Sequence, residues 1–386
     1  MEEYILAKAR SASKVKSKIQ MILFGAPFTG KSTMASQLAY MKNPDGTPFK
    51  ILYLDPESGS IDDYLGDLEE NGVDLQNIYI VYTQSLAEVK QYIQKAKNHE
   101  EFYVLDEDGN ETDEVVVDGA NNPFKPDAIV VDGASVLNLT TKQGLIDFSK
   151  RRAAVKADDA GIIGDKRSVK IEGAGLELKD YQTVNFKGQD LILELTGSGL
   201  HYIVTARETD EKVQKEINGK SESVTTGKKI PEGFKEMDYN TKTCIRMYRD
   251  DDDYETVKAF IVKDRTHVHK AGEILEDPSL TDWQAVINKT ANHKDFVIKN
   301  DLQGAIETEK EMYEKENGIN EVSQDNIVDE VKDVRNKINS VLRKLSPPIK
   351  TKAKAKLTEL NLPISFSKEE NIDTLNKIFE VVKQFK

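Results

Sequence analysis

The sequence predicts an α/β protein with a mainly parallel sheet, followed by a small helical C-terminal domain. Two observations carry the first part. Short apolar runs at 19–24, 51–54, 78–82, 128–131 and 201–205 alternate with helix-compatible stretches, as βαβ crossovers require. The first run also leads directly into a glycine-bounded loop and a helix, the setting of a phosphate-binding turn. A third observation carries the second part: beyond 292–300 the composition turns helix-rich, with no glycine after Gly318.

Taken in order, residues 1–18 form a basic arm or a solvated lead-in, since Lys8, Arg10, Lys14, Lys16 and Lys18 occur in 8–18 without an acid. The core is expected over 19–291, with helices at 30–41, 86–97 and 134–152 between its strands. Two insertions interrupt it. An acidic excursion at about 100–126 places Asp108-Gly109 between apolar segments, a hairpin signal. A glycine-containing stretch at about 154–177 has little periodicity and reads as a mobile loop. Residues 243–247 and 256–262 bracket Asp250 to Asp253 and predict a hairpin with an acidic tip. The tip lacks the spaced ligands and distal glutamate of a calcium loop, so it reads as a charged turn. An acidic helical linker is expected over 292–330 and a helical domain over 331–386. In that domain Arg335, Lys337, Arg343, Lys344, Lys350, Lys352, Lys354 and Lys356 lie close together, Pro347-Pro348 breaks the chain, and 373–384 forms a last amphipathic helix.

Composition narrows the function classes. The 386 residues carry 54 Lys and Arg against 67 Asp and Glu, a net charge of −13. That balance argues against a nucleic-acid-binding surface over the whole molecule, and local basic segments remain compatible with it. No run approaches the roughly 20 apolar residues needed to span a bilayer. The N-terminus lacks a basic segment followed by an apolar run, so no secretory signal and a cytoplasmic location are expected. The single cysteine, Cys244, excludes an intramolecular disulfide and a Cys-rich zinc site.

The most specific motif is Gly25-Ala26-Pro27-Phe28-Thr29-Gly30-Lys31-Ser32-Thr33. It matches G-x-x-x-x-G-K-[ST], with a strand before and a helix after it. Glycines let successive backbone N–H groups converge on phosphate oxygens. Lys31 brings a positive charge to the terminal phosphates, and the Ser32 hydroxyl suits Mg2+. Thr33 opens the helix and either supports the fold or reaches the α-phosphate. The expected cofactors are therefore ATP and Mg2+. A metal of this kind needs a carboxylate partner, and Asp132 emerges at the end of the apolar run 128–131, where open α/β sheets bind ligands. Asp132 also suits an N-cap for the helix that follows. Hydrolysis needs a group that orients water. Glu57 lies just past the strand at 51–54 and is favoured over Asp55, which can instead cap the turn.

Together these residues resemble the RecA-like P-loop ATPases, most closely the phage-encoded ATPases that assist recombination by single-strand annealing. The resemblance rests on the phosphate loop, on the acid pair Asp55 and Glu57, and on Ile129-Val130-Val131-Asp132-Gly133-Ala134-Ser135-Val136-Leu137. It covers roughly 18–275. It implies that Glu57 is the catalytic base and that Lys263 or Arg265 reaches the nucleotide of a neighbouring subunit; a surface role for this pair is the alternative. The sequence departs from the family where a polar Gln or His usually follows the fifth strand. Thr205 and Arg207 stand there, and Arg207 either senses the terminal phosphate or pairs with neighbouring acids.

The resemblance further implies self-association into a ring or filament, and single-stranded DNA as a partner. Arg151, Arg152, Lys166, Arg167 and Lys170, in and beside the expected loop, are the candidate DNA contacts. The C-terminal domain is a candidate site for a single-strand-binding or replication protein. Two alternatives share the core: a ring-forming helicase or translocase, and a nucleotide-sensing scaffold that recruits partners through its C-terminal domain.

Overall fold

The computed structural model describes residues 11–106, 109–217, 220–294 and 302–316, and beyond these 334–335, 337–338, 341–342, 345, 347–360, 362–363 and 371–385. The chain divides into two units, 1–302 and 303–386. The first contains β1 (Gln20–Gly25), α1 (Lys31–Ser36), β2 (Ile51–Asp55), α2 (Asp62–Glu70), β3 (Ile78–Tyr82), α3 (Leu86–Asn98), β4 (Tyr103–Leu105), β5 (Glu111–Val115), β6 (Ala128–Asp132) and α4 (Ala134–Asp159). It continues with α5 (Gly164–Glu172), α6 (Leu178–Gly197), β7 (His201–Ile217), β8 (Lys220–Pro231), β9 (Thr243–Asp250), β10 (Asp253–Asp264), β11 (Ile274–Glu276) and α7 (Gln284–Thr290). Helix α8 (Leu302–Glu316) starts at the division, and α9 (Pro347–Glu359) and α10 (Ile372–Lys383) follow in the second unit.

Nine strands form one sheet in the order β11-β10-β9-β1-β7-β6-β2-β3, with β8 pairing only β7. Strands β9, β1, β7, β6, β2 and β3 run parallel, and β10 and β11 add antiparallel pairs at one side. Every residue of β1, β2 and β6 is buried, which is why these strands read as unbroken apolar runs. The period of two still sorts them between two layers. Ile22, Phe24, Leu54, Val131 and Val204 pack with Val89 and Ile93 of α3 and Leu191 of α6. Met21, Leu23, Tyr53, Val130 and Ile203 pack with Met34 of α1, Leu38, Trp283 and Ile287. Each fully buried Leu or Ile contributes about 1.5–3 kcal/mol. The second unit has its own core, in which Ile338, Leu357, Leu375, Ile378 and Val382 are buried.

The α/β class, the mainly parallel sheet and the helical C-terminal unit are as the sequence predicts. Several details differ. The expected helix at 30–41 is α1 followed by a 3-10 turn, Gln37–Tyr40. The expected mobile loop at 154–177 is largely helical, because α4 runs on to Asp159 and α5 follows. Its glycines mark helix boundaries: Gly161 just after α4 and Gly164 at the first position of α5 take left-handed φ values of 61° and 62°, which other residues adopt at a cost. The fifth strand is also longer than 201–205. Beyond Arg207, β7 leaves the core and forms an antiparallel ribbon with β8, from Glu208 against Pro231 to Ile217 against Lys220, with one register shift between Asp210 and Lys212. Its residues are mostly exposed, so no apolar alternation betrays it. The signal present was Asn-Gly at 218–219, a favoured hairpin dipeptide.

The acidic excursion does carry a hairpin, β4 with β5, although Asp108 lies outside the described residues. So do residues 1–10 of the basic arm, 317–330 of the linker, and Arg343 and Lys344. The described end of the arm lies on the core: Val15 bridges to Lys294, and the Ser17 N–H donates to Thr290 Oγ1 at 3.0 Å.

At the opposite end of β7 from the ribbon, His201 is buried and its Nδ1 accepts from the Ile19 N–H at 3.1 Å. Burial, with Lys18 and Lys242 nearby, holds its pKa well below the usual histidine value. The folded imidazole stays neutral where the unfolded one, near 6.5, takes up a proton. Stability from this site is therefore complete above about pH 6.5 and falls as pH drops, by up to about 1.4 kcal/mol per pH unit. Denaturant titrations at pH 5 and 7 should show the loss in the native chain. A His201→Gln variant should lose that part of the pH dependence, and an unchanged slope would remove His201 as its source.

Candidate nucleotide site

The parallel register brings the ends of β1, β2 and β6 to one edge of the sheet, level with Thr205 to Arg207 of β7. Gly25 pairs with Arg207, Leu54 with Val131, and Asp132 with Thr205. The phosphate loop lies at this edge. Gly25 is required by close approach, since a Cβ there would stand 2.0 Å from the Met247 carbonyl oxygen of β9. Gly30 precedes α1 with φ 79°. Within the loop, Thr29 Oγ1 and Lys31 Nζ both donate to the Ala26 carbonyl, at 2.8 and 2.7 Å. Pro27 and Phe28 form its tip, where Phe28 is 92% exposed with φ 58°. Arg249 of β9 donates from Nε to the Phe28 carbonyl at 2.9 Å, which ties the tip to the β9–β10 turn. Ser32 and Thr33 form the first turn of α1.

Lys31 is partly buried, and burial lowers its pKa against the opposing fields of Glu57, Asp132 and Glu208. Its ammonium thus feels three carboxylates, Glu57 beyond the end of β2, Asp132 at the end of β6 and Glu208 within β7. Asp132 is buried, and its oxygens accept three hydroxyls: Tyr53 Oη at 2.5 Å, Ser60 Oγ at 2.6 Å, and Thr205 Oγ1. Fixed in this way, the carboxylate has one orientation. A serine hydroxyl and a carboxylate are the hard oxygen donors that Mg2+ takes alongside nucleotide phosphates, so Ser32 and Asp132 fit the expected ion.

Asp55 and Glu57 separate by role. The buried Asp55 carboxylate accepts the backbone N–H groups of Glu57, Ser58, Gly59 and Ser60 at 2.7–3.0 Å, and so holds the loop that carries Glu57. The Glu57 side chain lies over Gly133, where an added Cβ would meet its Cγ at 2.7 Å. Arg207 reaches Glu57 Oε1 from NH2 at 3.3 Å. In this ligand-free arrangement Arg207 therefore pairs with Glu57. Glu208 pairs instead with Arg246 at 2.8 Å.

Other expected site residues lie elsewhere. Lys263 pairs in register with Cys244, and Asp264 with Thr243, so Lys263 and Arg265 stand toward the sheet edge opposite the phosphate loop. Lys263 Nζ donates to the Asp238 carbonyl, and Arg265 is exposed. Burial pushes the neighbouring Cys244 thiol up to about 12. The candidate DNA residues sit on α4 and α5. Arg152 pairs with Asp180 and Arg167 with Asp158, while Arg151, Lys166 and Lys170 are exposed.

Sequence reasoning missed Tyr53, Ser60, Gly133 and Arg249. Tyr53 carried a usable signal, because a hydroxyl inside a fully buried strand needs a partner. Ser60 and Arg249 carried none, since their partners are distant in sequence.

No protein-family model matches the chain, and no curated protein matches it. Among solved structures it is similar to the RadB recombinase, with a TM-score of 0.35 and 14% identity over 68% of this chain and 87% of that one. It is similar also to a KaiC-like protein from the hyperthermophilic archaeon Pyrococcus horikoshii, with a TM-score of 0.33 and 13% identity over 69% of this chain and 99% of the other. Among the described residues, no helix is long and apolar enough to cross a membrane.

Proposed function

We propose that this chain is a RecA-like P-loop ATPase that binds ATP with Mg2+, associates with copies of itself and acts on single-stranded DNA in recombination or replication. Annealing of the kind assisted by phage-encoded ATPases is the favoured activity. The observation that carries the reading is the convergence of Lys31, Glu57 and Asp132 at the sheet edge that bears the phosphate loop.

The bound nucleotide supplies a terminal phosphoryl group open to in-line attack by water. Backbone N–H groups of the loop and the Lys31 ammonium bind its phosphate oxygens, for which Lys31 exchanges the Ala26 carbonyl for phosphate. Ser32 and Asp132 would hold Mg2+, which would offset charge on the phosphate oxygens, and Asp132 is oriented by Tyr53, Ser60 and Thr205. Glu57 orients the attacking water and takes its proton on the carboxylate. Arg207 positions that carboxylate through the ion pair. A base held this way favours hydrolysis over a purely sensing scaffold. Lys263 and Arg265 act on a nucleotide only from a neighbouring copy, since both stand away from their own site in register.

Turnover measured with and without single-stranded DNA tests the reading, and clear stimulation is expected. Neutralising Lys166, Arg167 and Lys170 should also flatten the salt dependence of strand binding, by about 0.7 in log–log slope for each phosphate that no longer meets a cation. Arg167 should matter least, being paired with Asp158. Unchanged affinity and slope would remove these residues as the DNA-binding surface.

A further inference from the structure

We infer that Arg249 of β9 is a positioning residue for the nucleotide's phosphates, acting through the phosphate loop and not by touching the ligand. The inference rests on the ATP-binding reading above and adds to that site a residue outside the loop motif. The loop lies along the β9–β10 hairpin. At its start, Gly25 stands against the Met247 carbonyl, where an added Cβ would come to 2.0 Å. At its end, a Cβ on Gly30 would meet Met247 Cε and Val257 at 3.7 Å. Between these points, the bond from Arg249 Nε to the Phe28 carbonyl, at 2.9 Å, holds the tip. Met247 and Arg249 are two apart on one strand, so their side chains share a face.

The same guanidinium reaches a second element. Its NH1 donates to the carbonyls of Tyr254 and Glu255, the latter at 2.7 Å. One planar fork thus joins the tip of the loop to the β9–β10 turn and fixes both directions at once. Among the described residues no carboxylate pairs with it, although the turn is acidic. Asp250 pairs with Lys258 at 2.6 Å, and Asp253 Oδ1 accepts the N–H groups of Glu255 and Thr256. The donors of Arg249 go to backbone carbonyls instead.

Holding one carbonyl aims one donor. The peptide between Phe28 and Thr29 is planar and trans, so its C=O and N–H point in opposite directions. With the Phe28 carbonyl turned to Arg249, the Thr29 N–H faces the other side of the tip. Pro27 and Phe28 are the central residues of a turn, which aims the Thr29 N–H at the Ala26 carbonyl. That carbonyl accepts Lys31 Nζ at 2.7 Å. The N–H and the ammonium therefore converge on the acceptor that a phosphate oxygen replaces. The turn sets Phe28 in a left-handed conformation, φ 58°, which a residue with a Cβ takes roughly five- to thirtyfold less readily. Its ring gains little packing in return, being 92% exposed. Among the described residues its carbonyl accepts from Arg249 alone.

Equilibrium binding of ATP and of ADP to the full chain tests the inference, with thermal unfolding in the absence of nucleotide as the control for folding. Arg249→Met keeps the apolar stem and removes the donors. It should unfold like the native chain and bind both nucleotides about tenfold more weakly, the low end for a hydrogen bond from a charged donor. The two losses should match, because the loop cradles phosphates that ATP and ADP share. In a Phe28→Gly background, where glycine takes the left-handed φ freely, the same substitution should cost at most about threefold. Equal losses in the two backgrounds would overturn the route through residue 28. Weaker ATP binding with ADP unchanged would overturn it in favour of direct contact with the terminal phosphate, and native affinity for both would dismiss Arg249. Arg249→Lys keeps the charge without the fork and should also bind weakly; native affinity there would replace positioning by charge alone. A native chain that binds neither nucleotide would instead overturn the ATP-binding reading itself.

Discussion

Glu57→Gln should bind ATP about as tightly as the native chain and hydrolyse it about 100- to 10,000-fold more slowly, the usual contribution of a positioned general base. Glutamine keeps the size of the side chain and a hydrogen-bonding oxygen but cannot accept the proton of water. The loop that presents residue 57 is held by Asp55 through four backbone N–H groups. The substitution therefore leaves the geometry of the site in place and removes one chemical capacity. Equilibrium binding of ATP, paired with single-turnover hydrolysis, separates the two effects. Unimpaired turnover in the glutamine variant would dismiss Glu57 as the base. Reduced binding with normal turnover of the bound fraction would assign it a ground-state role.

Lys31→Ala should weaken ATP binding about 10- to 150-fold, because a hydrogen bond between charged groups contributes about 1.5–3 kcal/mol. The ammonium is already partly desolvated, as its lowered pKa reflects. In the ligand-free chain it bonds to the Ala26 carbonyl, so its loss should cost the fold little. Thermal unfolding without nucleotide should accordingly shift little, while the stabilisation that ATP adds is lost. A variant that melts like the native chain and still gains full stabilisation from ATP would show that Lys31 does not hold the phosphates.

Both variants alter residues found from short contiguous patterns. The loop from Gly25 to Ser32 was legible because its chemistry is local: backbone turns, one cation and one hydroxyl within a single segment. Asp132 and Glu57 were legible because each follows an apolar run, and parallel strands send their carboxyl ends to one edge. The stretch 154–177 reads as a loop because its glycines sit at helix boundaries, and the helices are joined by pairs such as Lys150–Glu172 that no local pattern reveals. The full length of β7 is hidden because both faces of its outer half meet solvent and impose no apolar period.

The sequence by itself determined the five core strands that alternate with α1, α3 and α4, the phosphate loop, and the carboxylates Glu57 and Asp132 that follow two of those strands. Those features depend on residue type within windows of a few positions. Only the tertiary structure decided the partners of each carboxylate. Strand register sets Thr205 beside Asp132, 73 residues apart, and brings Tyr53 to the same group across 79. It also sets Arg207 against Glu57 across 150, and places Lys263 toward the far edge of the sheet from Lys31. Pairings over such separations follow from which strands lie side by side, and that is settled by burial of the whole sheet between its two apolar layers.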